Sequence, residues 1–300
     1  MEKVYEPLVS VAIVTYNSSK TISETLDSVY AQTYQNIELI ISDDHSKDET
    51  VSICEKWIDD RKERFVRCEI ITVPTNTGVS ANYNRAFNAC KGEWIKDFDG
   101  DDIMLPNCVT ECVSYIIKHP DTQYLFAKHD AFGANTEYCK KINNNFDYTF
   151  FSLTQEEQLS RMIFGGNCIP STTAFYNREY IKQIGVTNDE RIPLLEDWPK
   201  WINLIRAGVK FHFIDKVLVK YRVSETALST SSVKSAVFIK SEALLYKYYR
   251  FPYFYRQGDK KDAVLKLLQA EKSIHDNAFI WRVIVFLYKK LTGIGNKTQQ

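Results

Sequence analysis

Apolar runs rich in β-branched residues alternate with helical patterns along residues 9–99. The run VSVAIVTY, residues 9–16, is typical of a strand that is covered on both faces. A helical pattern follows at 22–29, after Thr21 and Glu24, whose spacing is that of a capping box. The same signals predict strands at 37–42, 68–73 and 93–99 and helices at 51–58 and 79–90. This βαβαβαβ order predicts right-handed crossovers and a mainly parallel sheet.

Polar clusters stand where each of these strands ends. They are residues 17–19, 43–48, 76–78 and 99–102. In an open α/β sheet, ligands bind beyond the carboxyl ends of the strands, because the loops of several strands meet there. We therefore expect these loops to line one crevice.

The pattern becomes less regular after residue 105. It indicates a helix near 112–116, a strand within 122–132, and a strand that continues into a helix at 175–185. A helix is predicted at 194–208 with Pro199 in its first turn, followed by strands at 210–222. From about residue 231 onward the pattern is helical.

Composition narrows the class of protein. The 38 basic and 38 acidic side chains cancel, which argues against nucleic acid as the main partner. The seven cysteines form an odd set without a CxxC pair, and Cys108 and Cys112 are spaced like two core residues on one helix face. We expect reduced thiols in a cytoplasmic protein. We expect neither a secretory signal nor a spanning helix, because no stretch approaches the roughly 18 apolar residues that a spanning helix needs.

The strongest chemical signal is DFDGDD, which directly follows a predicted strand. Its carboxylates, Asp97, Asp99, Asp101 and Asp102, repel one another unless a cation joins them. Hard oxygen ligands suit Mg²⁺ or Mn²⁺, which often complete their shells with substrate phosphates. The alternative is a solvated acidic turn. A calcium EF-hand is excluded, because Asp102 and Cys108 stand where that loop needs Gly and Glu.

A second acidic cluster lies in SDDHSKDET. Asp48 has the position of a helix cap, whereas capping does not account for Asp43 and Asp44. A carboxylate there can accept hydrogen bonds from a base or from ribose hydroxyls. His45 is more simply interpreted as a solvated loop residue than as a metal or substrate ligand.

A third acidic pair, Glu196–Asp197, opens the helix predicted at 194–208. The pair either stabilises the helix terminus or supplies a general base that accepts a proton from a substrate hydroxyl. The neighbouring Trp198 and Trp201 belong either to the core or to a sugar-stacking surface. GxGxxG after the first strand, GxxxxGK[ST], GxSxG and HExxH are absent from the sequence, which disfavours the enzymes that carry them.

Four segments of the chain carry a further, ordered signal. They are VSVAIVTYNSSKTISETLDSVYAQTYQNIELIISDDHSKDET, NTGVSANYNRAFNACKGEWIKDFDGDD, LLEDWPKWINLIRAG and YRVSETALS, within residues 8–229. Together they resemble the family 2 glycosyltransferases with the GT-A fold. The resemblance implies a Rossmann-like, mainly parallel α/β fold with a C-terminal helical extension. It divides the chain into a nucleotide-sugar-binding half (1–105), an acceptor-binding and catalytic-base half (106–229) and the extension (230–300).

The resemblance also implies an activity: inverting transfer of a sugar from a nucleotide diphosphate sugar to an acceptor hydroxyl, in surface polysaccharide or glycoconjugate synthesis. The acceptor would be a glycan or a lipid-linked saccharide. The implied donor-binding residues are Thr15, Tyr16, Asn17, Asp43, Asp44, Asn76, Arg85, Asp99, Asp101, Arg222 and Ser224. Asp44 would meet the base, and Asp99 and Asp101 match the DxD element that holds ribose and the metal–diphosphate, with Mn²⁺ or Mg²⁺ as the metal.

The second half carries the implied catalytic and acceptor residues. Asp197 matches the catalytic base, with Glu196 beside it. Acceptor contacts are expected from Trp198, Asn167 and Asp102. In the implied single displacement, the metal neutralises charge on the leaving diphosphate while Asp197 deprotonates the acceptor hydroxyl.

Two positions depart from the pattern of many relatives. Tyr83 stands where many carry Arg, so a cationic contact is missing or is supplied by Arg85. Ser224 stands where many carry His, which implies greater reliance on Arg222 or water. The alternatives are a non-catalytic nucleotide- or sugar-binding scaffold and a sugar-phosphate nucleotidyltransferase. The first loop, TYNSSK, disfavours the latter, because those enzymes resemble one another in a Gly-rich loop ahead of an Arg.

Segment 278–293, AFIWRVIVFLYKKLTG, is strongly apolar and carries Arg282, Lys289 and Lys290. As a helix it would reach only about 24 Å, which is short for a membrane crossing. The segment either packs on the catalytic domain or on a second subunit of a homodimer, or lies peripherally on the inner face of the cell membrane and meets a lipid-linked acceptor.

Overall fold

A single eight-stranded sheet runs through most of the computed structural model, which describes residues 5–223, 235–275 and 278–292. Its strands are β1 (Val9–Thr15), β2 (Ile37–Asp43), β3 (Arg67–Thr72), β4 (Trp94–Asp99), β5 (Ile103–Met104), β6 (Tyr124–Phe132), β7 (Phe175–Asn177) and β8 (Phe211–Arg222). Their order is β3-β2-β1-β4-β7-β6-β8-β5. The pairs β1–β2, β1–β4, β2–β3 and β6–β8 are parallel, and β4–β7, β6–β7 and β5–β8 are antiparallel. The predicted mainly parallel sheet is confirmed.

The register of the central strands aligns their carboxyl ends. Thr15 pairs with Asp43 on β2, and Val14 pairs with Asp99 on β4. Every residue of β1 and β2 is buried, as their continuous apolar runs predict. The polar residues that follow these strands therefore meet at one edge of the sheet.

Helices cover both faces of the sheet. They are α1 (Ile22–Tyr30), α2 (Thr50–Arg61), α3 (Val79–Ala89), α4 (Cys108–Lys118), α5 (Thr136–Asn145), α6 (Gln155–Ser160), α7 (Arg178–Ile184), α8 (Asp197–Arg206), α9 (Ala236–Leu245), α10 (Phe251–Gln257), α11 (Lys260–Ile274) and α12 (Ala278–Thr292). Successive β1 side chains alternate between two cores, as strand geometry requires. One core contains residues of α1, α2 and α4, and the other contains residues of α3, α8 and α9.

Short 3-10 and π-helical turns interrupt the regular elements. The 3-10 turns are Lys62–Arg64, Tyr148–Ser152 and Ser171–Thr173, and the π-helical turns are Arg161–Gly165 and Tyr246–Arg250. The segment 210–222, predicted as strands, forms the single strand β8. Its pairing with β6 shifts register on either side of Lys128.

The predicted capping box at the start of α1 is wrong. Thr21 is the N-cap residue, but its side chain makes no capping hydrogen bond. Its hydroxyl instead donates to the carbonyl oxygens of Gly100, at 3.0 Å, and Ser18, at 3.3 Å. The start of α1 is thereby tied to the acidic turn that follows β4.

The cysteines and the C-terminal helices follow the sequence predictions. All seven cysteines lie within the described ranges and are free thiols, and Cys108 and Cys112 are buried on α4. Helices α9 to α12 form the predicted helical extension. In the part of the chain that the structure describes, no helix combines the length and the apolar character needed to cross a membrane.

Candidate active site

A cavity of about 560 Å³ opens at the carboxyl ends of β1, β2 and β4. It is lined by Val14, Thr15, Tyr16, Ser18, Asp44, Asn76, Gly78, Val79, Asn82, Asp99, Gly100, Asp101, Leu194, Tyr221, Ser235 and Val237. Each of the first four predicted strands is followed by a loop that contributes predicted donor-binding residues to this lining. The expected single crevice is present.

Asp44 lies at the cavity edge with its carboxylate held by the loop that follows β3. It accepts hydrogen bonds from the backbone N–H groups of Thr77, at 3.0 Å, and Gly78, at 2.8 Å, and from the Thr77 hydroxyl at 2.5 Å. The Asn76 amide donates to the Asp44 carbonyl oxygen at 3.1 Å. Asp44 therefore fixes the position of this loop as well as bordering the cavity.

Arg85 lies behind Asp44 and outside the set of residues that line the cavity. Its guanidinium pairs with Asp44 Oδ1 at 3.0 Å and donates to Ser42 Oγ and to Asn82 Oδ1. The structure thus places Arg85 where it orients the Asp44 carboxylate. Its predicted contact with the donor stays a prediction.

Asn17 and Asp43 also make local loop contacts. Asn17 adopts a positive φ of 53°, a conformation that Asn tolerates better than most residues, and its side chain accepts the backbone N–H of Lys47 at 2.8 Å. The buried Asp43 carboxylate accepts the backbone N–H of Ser46 at 2.8 Å and the Ser46 hydroxyl at 2.5 Å. Neither residue is among those that line the cavity. Asp48 accepts the backbone N–H of Thr50, the first residue of α2, at 3.0 Å, although Glu49 is the N-cap residue of this helix.

The four carboxylates of DFDGDD have different environments. Asp97 is buried, accepts the Tyr176 hydroxyl at 2.8 Å, and forms an ion pair with Lys200 of α8 at 3.1 Å. Asp99 lines the cavity and accepts the Tyr83 hydroxyl at 2.6 Å. Asp101 also lines the cavity, and burial together with the charge of Asp99 raises its pKa to about 7.

The turn itself needs Gly100. A Cβ at this position would come within 2.9 Å of Thr15 Oγ1 and 3.2 Å of the Val14 carbonyl oxygen. Asp102 is fully buried, and its Oδ1 accepts the backbone N–H of Arg222 at 2.8 Å. Asp102 therefore joins the turn to the end of β8. Asp102 is not among the residues that line the cavity, and its predicted contact with the acceptor stays a prediction.

Asp99 and Asp101 fit a divalent metal that shares its coordination shell with a ligand. Within residues 5–223, 235–275 and 278–292, no three His, Cys, Asp or Glu side chains form a group that could hold a metal ion. Two carboxylates suit Mn²⁺ or Mg²⁺ when phosphate and water oxygens complete the shell. Thr15 Oγ1 at the same edge is buried and has no hydrogen-bond partner among the described residues.

The acidic pair predicted as the base lies at the start of α8, beside this turn. Leu195, the residue before the pair, has a φ of 64°, a left-handed conformation that is rare for a residue with a Cβ. Asp197 Oδ2 accepts the side-chain amide of Asn167 at 2.6 Å, and its Oδ1 accepts the backbone N–H of Trp198 at 2.7 Å. Asn167 therefore contacts the candidate base directly.

Burial and the charges of nearby carboxylates raise the pKa values of this pair. Burial raises the pKa of Asp197 to about 6. Burial, followed by the charges of Asp197 and Asp99, raises the pKa of Glu196 to about 8. Near neutral pH, Asp197 is therefore ionised while Glu196 holds its proton. Two neighbouring carboxyl groups with separated pKa values are typical of acid–base sites.

Tyr83, which the sequence marked only as a departure from the pattern of many relatives, joins the two groups of carboxylates. Its hydroxyl donates to Asp99, and the charges of both Asp99 and Glu196 contribute to raising its own pKa. Asp99 likewise contributes to the raised pKa values of Asp101 and Asp197. Asp99 and Asp101 line the large cavity, whereas Glu196 and Asp197 line a smaller one that Tyr83 also borders. The predicted cleft shared by the acidic turn and the base stays a prediction.

Arg222 and Trp198 frame the cleft. Arg222 Nε donates to the Asp101 carbonyl oxygen at 2.6 Å, and its guanidinium pairs with Glu24 and lies over the Phe132 ring. Trp198 Nε1 donates to the Met162 carbonyl oxygen at 2.9 Å. Trp201 was interpreted as part of either the core or a sugar-stacking surface, and the structure places it in the core. The other predicted donor residue of this region, Ser224, lies outside the described residues.

Comparison with known proteins identifies the class. Residues 10–185 match the family model described as Glycosyl transferase family 2. The match covers more than half of the chain, so the chain belongs to the family 2 glycosyl transferases.

Individual relatives agree with this assignment. The UDP-Glc:alpha-D-GlcNAc-diphosphoundecaprenol beta-1,3-glucosyltransferase WfaP of Escherichia coli is 31% identical over 233 residues, which are 77% of this chain and 83% of WfaP. The crystal structure of S. aureus TarS 1-349 in complex with UDP-GlcNAc superposes with a TM-score of 0.62 at 16% identity, over 94% of this chain and 87% of the TarS 1-349 chain. The mannosyltransferase PcManGT from Pyrobaculum calidifontis, in complex with GDP-Man and Mn²⁺, has a TM-score of 0.59 at 16% identity, over 98% of this chain and 77% of PcManGT. The predicted GT-A fold is confirmed.

Proposed function

We propose that this glycosyltransferase moves a sugar from a nucleotide diphosphate sugar to a hydroxyl of a glycan or lipid-linked saccharide, with inversion at the anomeric carbon. One observation carries the proposal: Asp99 lines the large cavity and accepts the Tyr83 hydroxyl at 2.6 Å, and Tyr83 also borders the small cavity that Glu196 and Asp197 line. This link through Tyr83 supports a donor site and a base that act in one reaction.

The size and lining of the cavity support the donor class. About 560 Å³ is within the usual range for a small-molecule site. Asp44 and Asn76 would border the base end, while the unpaired Thr15 hydroxyl and Asp101 lie at the end where β1 and β4 stop. TarS was solved with UDP-GlcNAc and PcManGT with GDP-Man, both of which are donors of this class.

A divalent cation, Mn²⁺ or Mg²⁺, would be held by Asp101 and Asp99. Bound there, it would supply positive charge to the departing diphosphate. The raised pKa of Asp101, caused by burial and by Asp99, is consistent with a pair of carboxylates placed to share a cation. PcManGT, which has the same fold, was solved with Mn²⁺.

Asp197 would act as the general base. It is ionised near neutral pH, and Asn167 holds one of its oxygens by a hydrogen bond. Proton removal from the acceptor hydroxyl creates a nucleophile that attacks the anomeric carbon opposite the diphosphate. A single displacement of this kind inverts the configuration, and no enzyme nucleophile is needed.

The acceptor and the cellular location form part of the same proposal. The printed name of WfaP describes transfer to a lipid-linked saccharide, which supports a comparable acceptor in surface polysaccharide synthesis. The seven free thiols support a reducing, cytoplasmic location. The homodimer stays a prediction.

The deciding experiment is a thermal-shift screen of UDP, GDP and dTDP sugars, each with and without Mn²⁺. A donor at a hundred times its Kd stabilises the fold by about 2.7 kcal/mol. We expect one nucleotide class to raise Tm, and Asp101→Asn to abolish the Mn²⁺-dependent part of the rise. Asp121→Asn, which alters an exposed carboxylate outside the cavity, is the control. The proposal fails if no nucleotide sugar shifts Tm under either condition.

A further inference from the structure

Helix α12 turns an apolar face toward solvent. Phe279 is 74%, Phe286 64% and Leu291 86% exposed, and Ile280, Val283 and Leu287 are also exposed. At 100° per residue, these side chains fall within one arc of about 140° around the helix axis. They are called the α12 stripe here.

The opposite side of α12 holds the helix on the protein. The Tyr288 hydroxyl donates to the Lys261 carbonyl oxygen of α11 at 3.2 Å. The Trp281 ring stacks on His275 with the ring centroids 5.6 Å apart. The α12 stripe is therefore not the packing face of the helix. Its exposure follows from how the helix is fixed on α11.

The charges on α12 all have one sign. Arg282, Lys289 and Lys290 are exposed, and residues 278–292 contain no Asp or Glu. Two copies of α12 paired through their stripes would bring like charges together with no acidic side chain on the helix to balance them. Anionic lipid headgroups complement both the apolar stripe and the basic side chains.

We propose that α12 is an interfacial helix that docks the enzyme on an anionic lipid surface. The helix has 15 residues and is about 22 Å long, so it lies along the surface rather than spanning the hydrocarbon core. The apolar side chains of the stripe enter the headgroup boundary, and the basic side chains contact phosphates.

The docked helix is connected to the acceptor side of the cleft. Tyr288 ties α12 to α11 by its hydrogen bond, and Lys266 of α11 lies over the Phe254 ring of α10, 5.3 Å from the ring centroid. Phe254 in turn packs against Phe164 with the ring centroids 4.9 Å apart. Phe164 belongs to the π-helical turn that precedes Asn167, the partner of Asp197. This connection rests on the proposed function, because it gives a lipid-linked acceptor a membrane-side approach to the base.

The test is gradient flotation of the full-length protein with vesicles of phosphatidylglycerol and phosphatidylcholine in equal parts, or of phosphatidylcholine alone. The stripe variant is Phe279→Ser/Phe286→Ser/Leu291→Ser, and the charge variant is Arg282→Gln/Lys289→Gln/Lys290→Gln. The matched control is Val66→Ser/Ile117→Ser, which removes exposed apolar side chains elsewhere on the surface.

We expect the wild type and the control to float with the anionic vesicles. The stripe variant should bind at least about a hundred-fold more weakly. The charge variant should lose roughly five-fold for each basic side chain removed, and added salt should reproduce this loss. All variants should keep the wild-type Tm and the transfer of sugar to a water-soluble acceptor.

Equal flotation of the stripe variant and the wild type would overturn the proposal, as would a wild type that stays with the unbound protein. If sedimentation shows a wild-type dimer that the stripe variant loses, a second copy covers the stripe and the lipid proposal is wrong. Flotation needs no donor, and transfer to a soluble acceptor needs no vesicle. A failure of the docking proposal is therefore distinguishable from a failure of the proposed transferase reaction.

Discussion

Tyr83 shows how one side chain links two parts of the site. Its hydroxyl donates to Asp99, and the residue borders the small cavity that Glu196 and Asp197 line. A phenol supplies no positive charge, so the pKa values of Asp101 and Glu196 are raised by burial and, in addition, by repulsion between the carboxylates. A cation bound here would relieve more repulsion between the carboxylates than a cation bound in a site where an Arg already neutralises them.

Replacing the candidate base separates binding from chemistry. Asp197→Asn keeps the shape of the side chain and removes its ability to accept a proton. We expect turnover to fall by about 10²- to 10⁴-fold. The donor-induced rise in Tm should remain, because Asp197 lies outside the donor cavity. Single-turnover transfer and thermal shift measure the two effects.

The pH profile of the wild type provides the control for this variant. Because burial raises the pKa of Asp197 to about 6, kcat/KM should fall as the pH drops through that value and the base becomes protonated. The Asp197→Asn protein should lack this acidic limb. Near-normal turnover of the variant, or an unchanged limb, would remove Asp197 from the role of base.

At the scale of elements, a buried ion pair fixes α8 to β4. Lys200 lies one turn after Glu196 on α8, and Asp97 precedes Asp99 by two residues on β4. Their side chains meet at 3.1 Å in the interior, and the Tyr176 hydroxyl satisfies the second oxygen of Asp97. The pair therefore sets the position of the helix that carries the base relative to the strand that carries Asp99.

Breaking this pair should damage both stability and catalysis. Lys200→Met leaves a buried carboxylate unpaired, which typically costs about 3–5 kcal/mol. We expect a loss of that order in urea unfolding, together with a shift in the acidic limb of kcat/KM. Asp97→Asn/Lys200→Met should recover part of the stability, because the unpaired charge is gone.

The exposed pair Lys210–Asp121 is the matched control for the buried one. Its atoms are 3.3 Å apart, close to the separation in the buried pair, but both side chains are largely exposed. Lys210→Met should therefore change the stability in urea little and leave the pH profile unchanged. Equal effects of the two Lys→Met changes would show that the buried pair has no special role in holding α8.

At the scale of the whole molecule, the raised pKa of Glu196 links stability to pH. The folded protein binds this proton more tightly than the unfolded chain does, so the contribution of Glu196 to stability falls as the pH rises from its ordinary pKa toward about 8. Glu196→Gln removes the charge that would be buried. We expect the variant to have a higher Tm than the wild type at pH near 8 and a similar Tm at pH near 5.

Thermal unfolding at the two pH values checks this prediction. Glu137→Gln is a suitable control, because Glu137 is exposed in the first turn of α5. This substitution should change Tm little at either pH. A Glu196→Gln protein that is less stable than the wild type at the higher pH would contradict the assignment of a protonated Glu196. At this scale, the donor screen tests ligand binding by the whole protein, and the flotation experiment tests its surface.

Sequence motifs and the periodicity of apolar residues predicted many of the strands and helices and the position of the cavity. The apolar runs at β1 and β2, the helical spacing in α1 and α4, and the acidic residues after β4 depend on local sequence, and each is found where the pattern placed it. The position of the cavity followed as well, because the carboxyl ends of parallel strands meet at one edge. The three-part division of the chain stays a prediction.

Local patterns could not assign roles that depend on distant partners. The DFDGDD turn presents four carboxylates with similar surroundings in the sequence, yet Asp97 pairs with Lys200, more than a hundred residues away, while Asp99 and Asp101 line the cavity. Arg85 was predicted to contact the donor, and folding placed it against Asp44. The capping box at Thr21 was wrong because its hydroxyl is used by Gly100, a contact that periodicity does not encode.

The amino-acid sequence by itself determined the strand and helix pattern, the family, and the chemical types of residue at the cleft, because these depend on spacing along the chain. Only the tertiary structure decided which carboxylates are paired, which are exposed to a ligand, and which face of α12 is left uncovered. Those outcomes depend on burial and on the distances between side chains from separate elements, and both arise when the helices pack against the sheet.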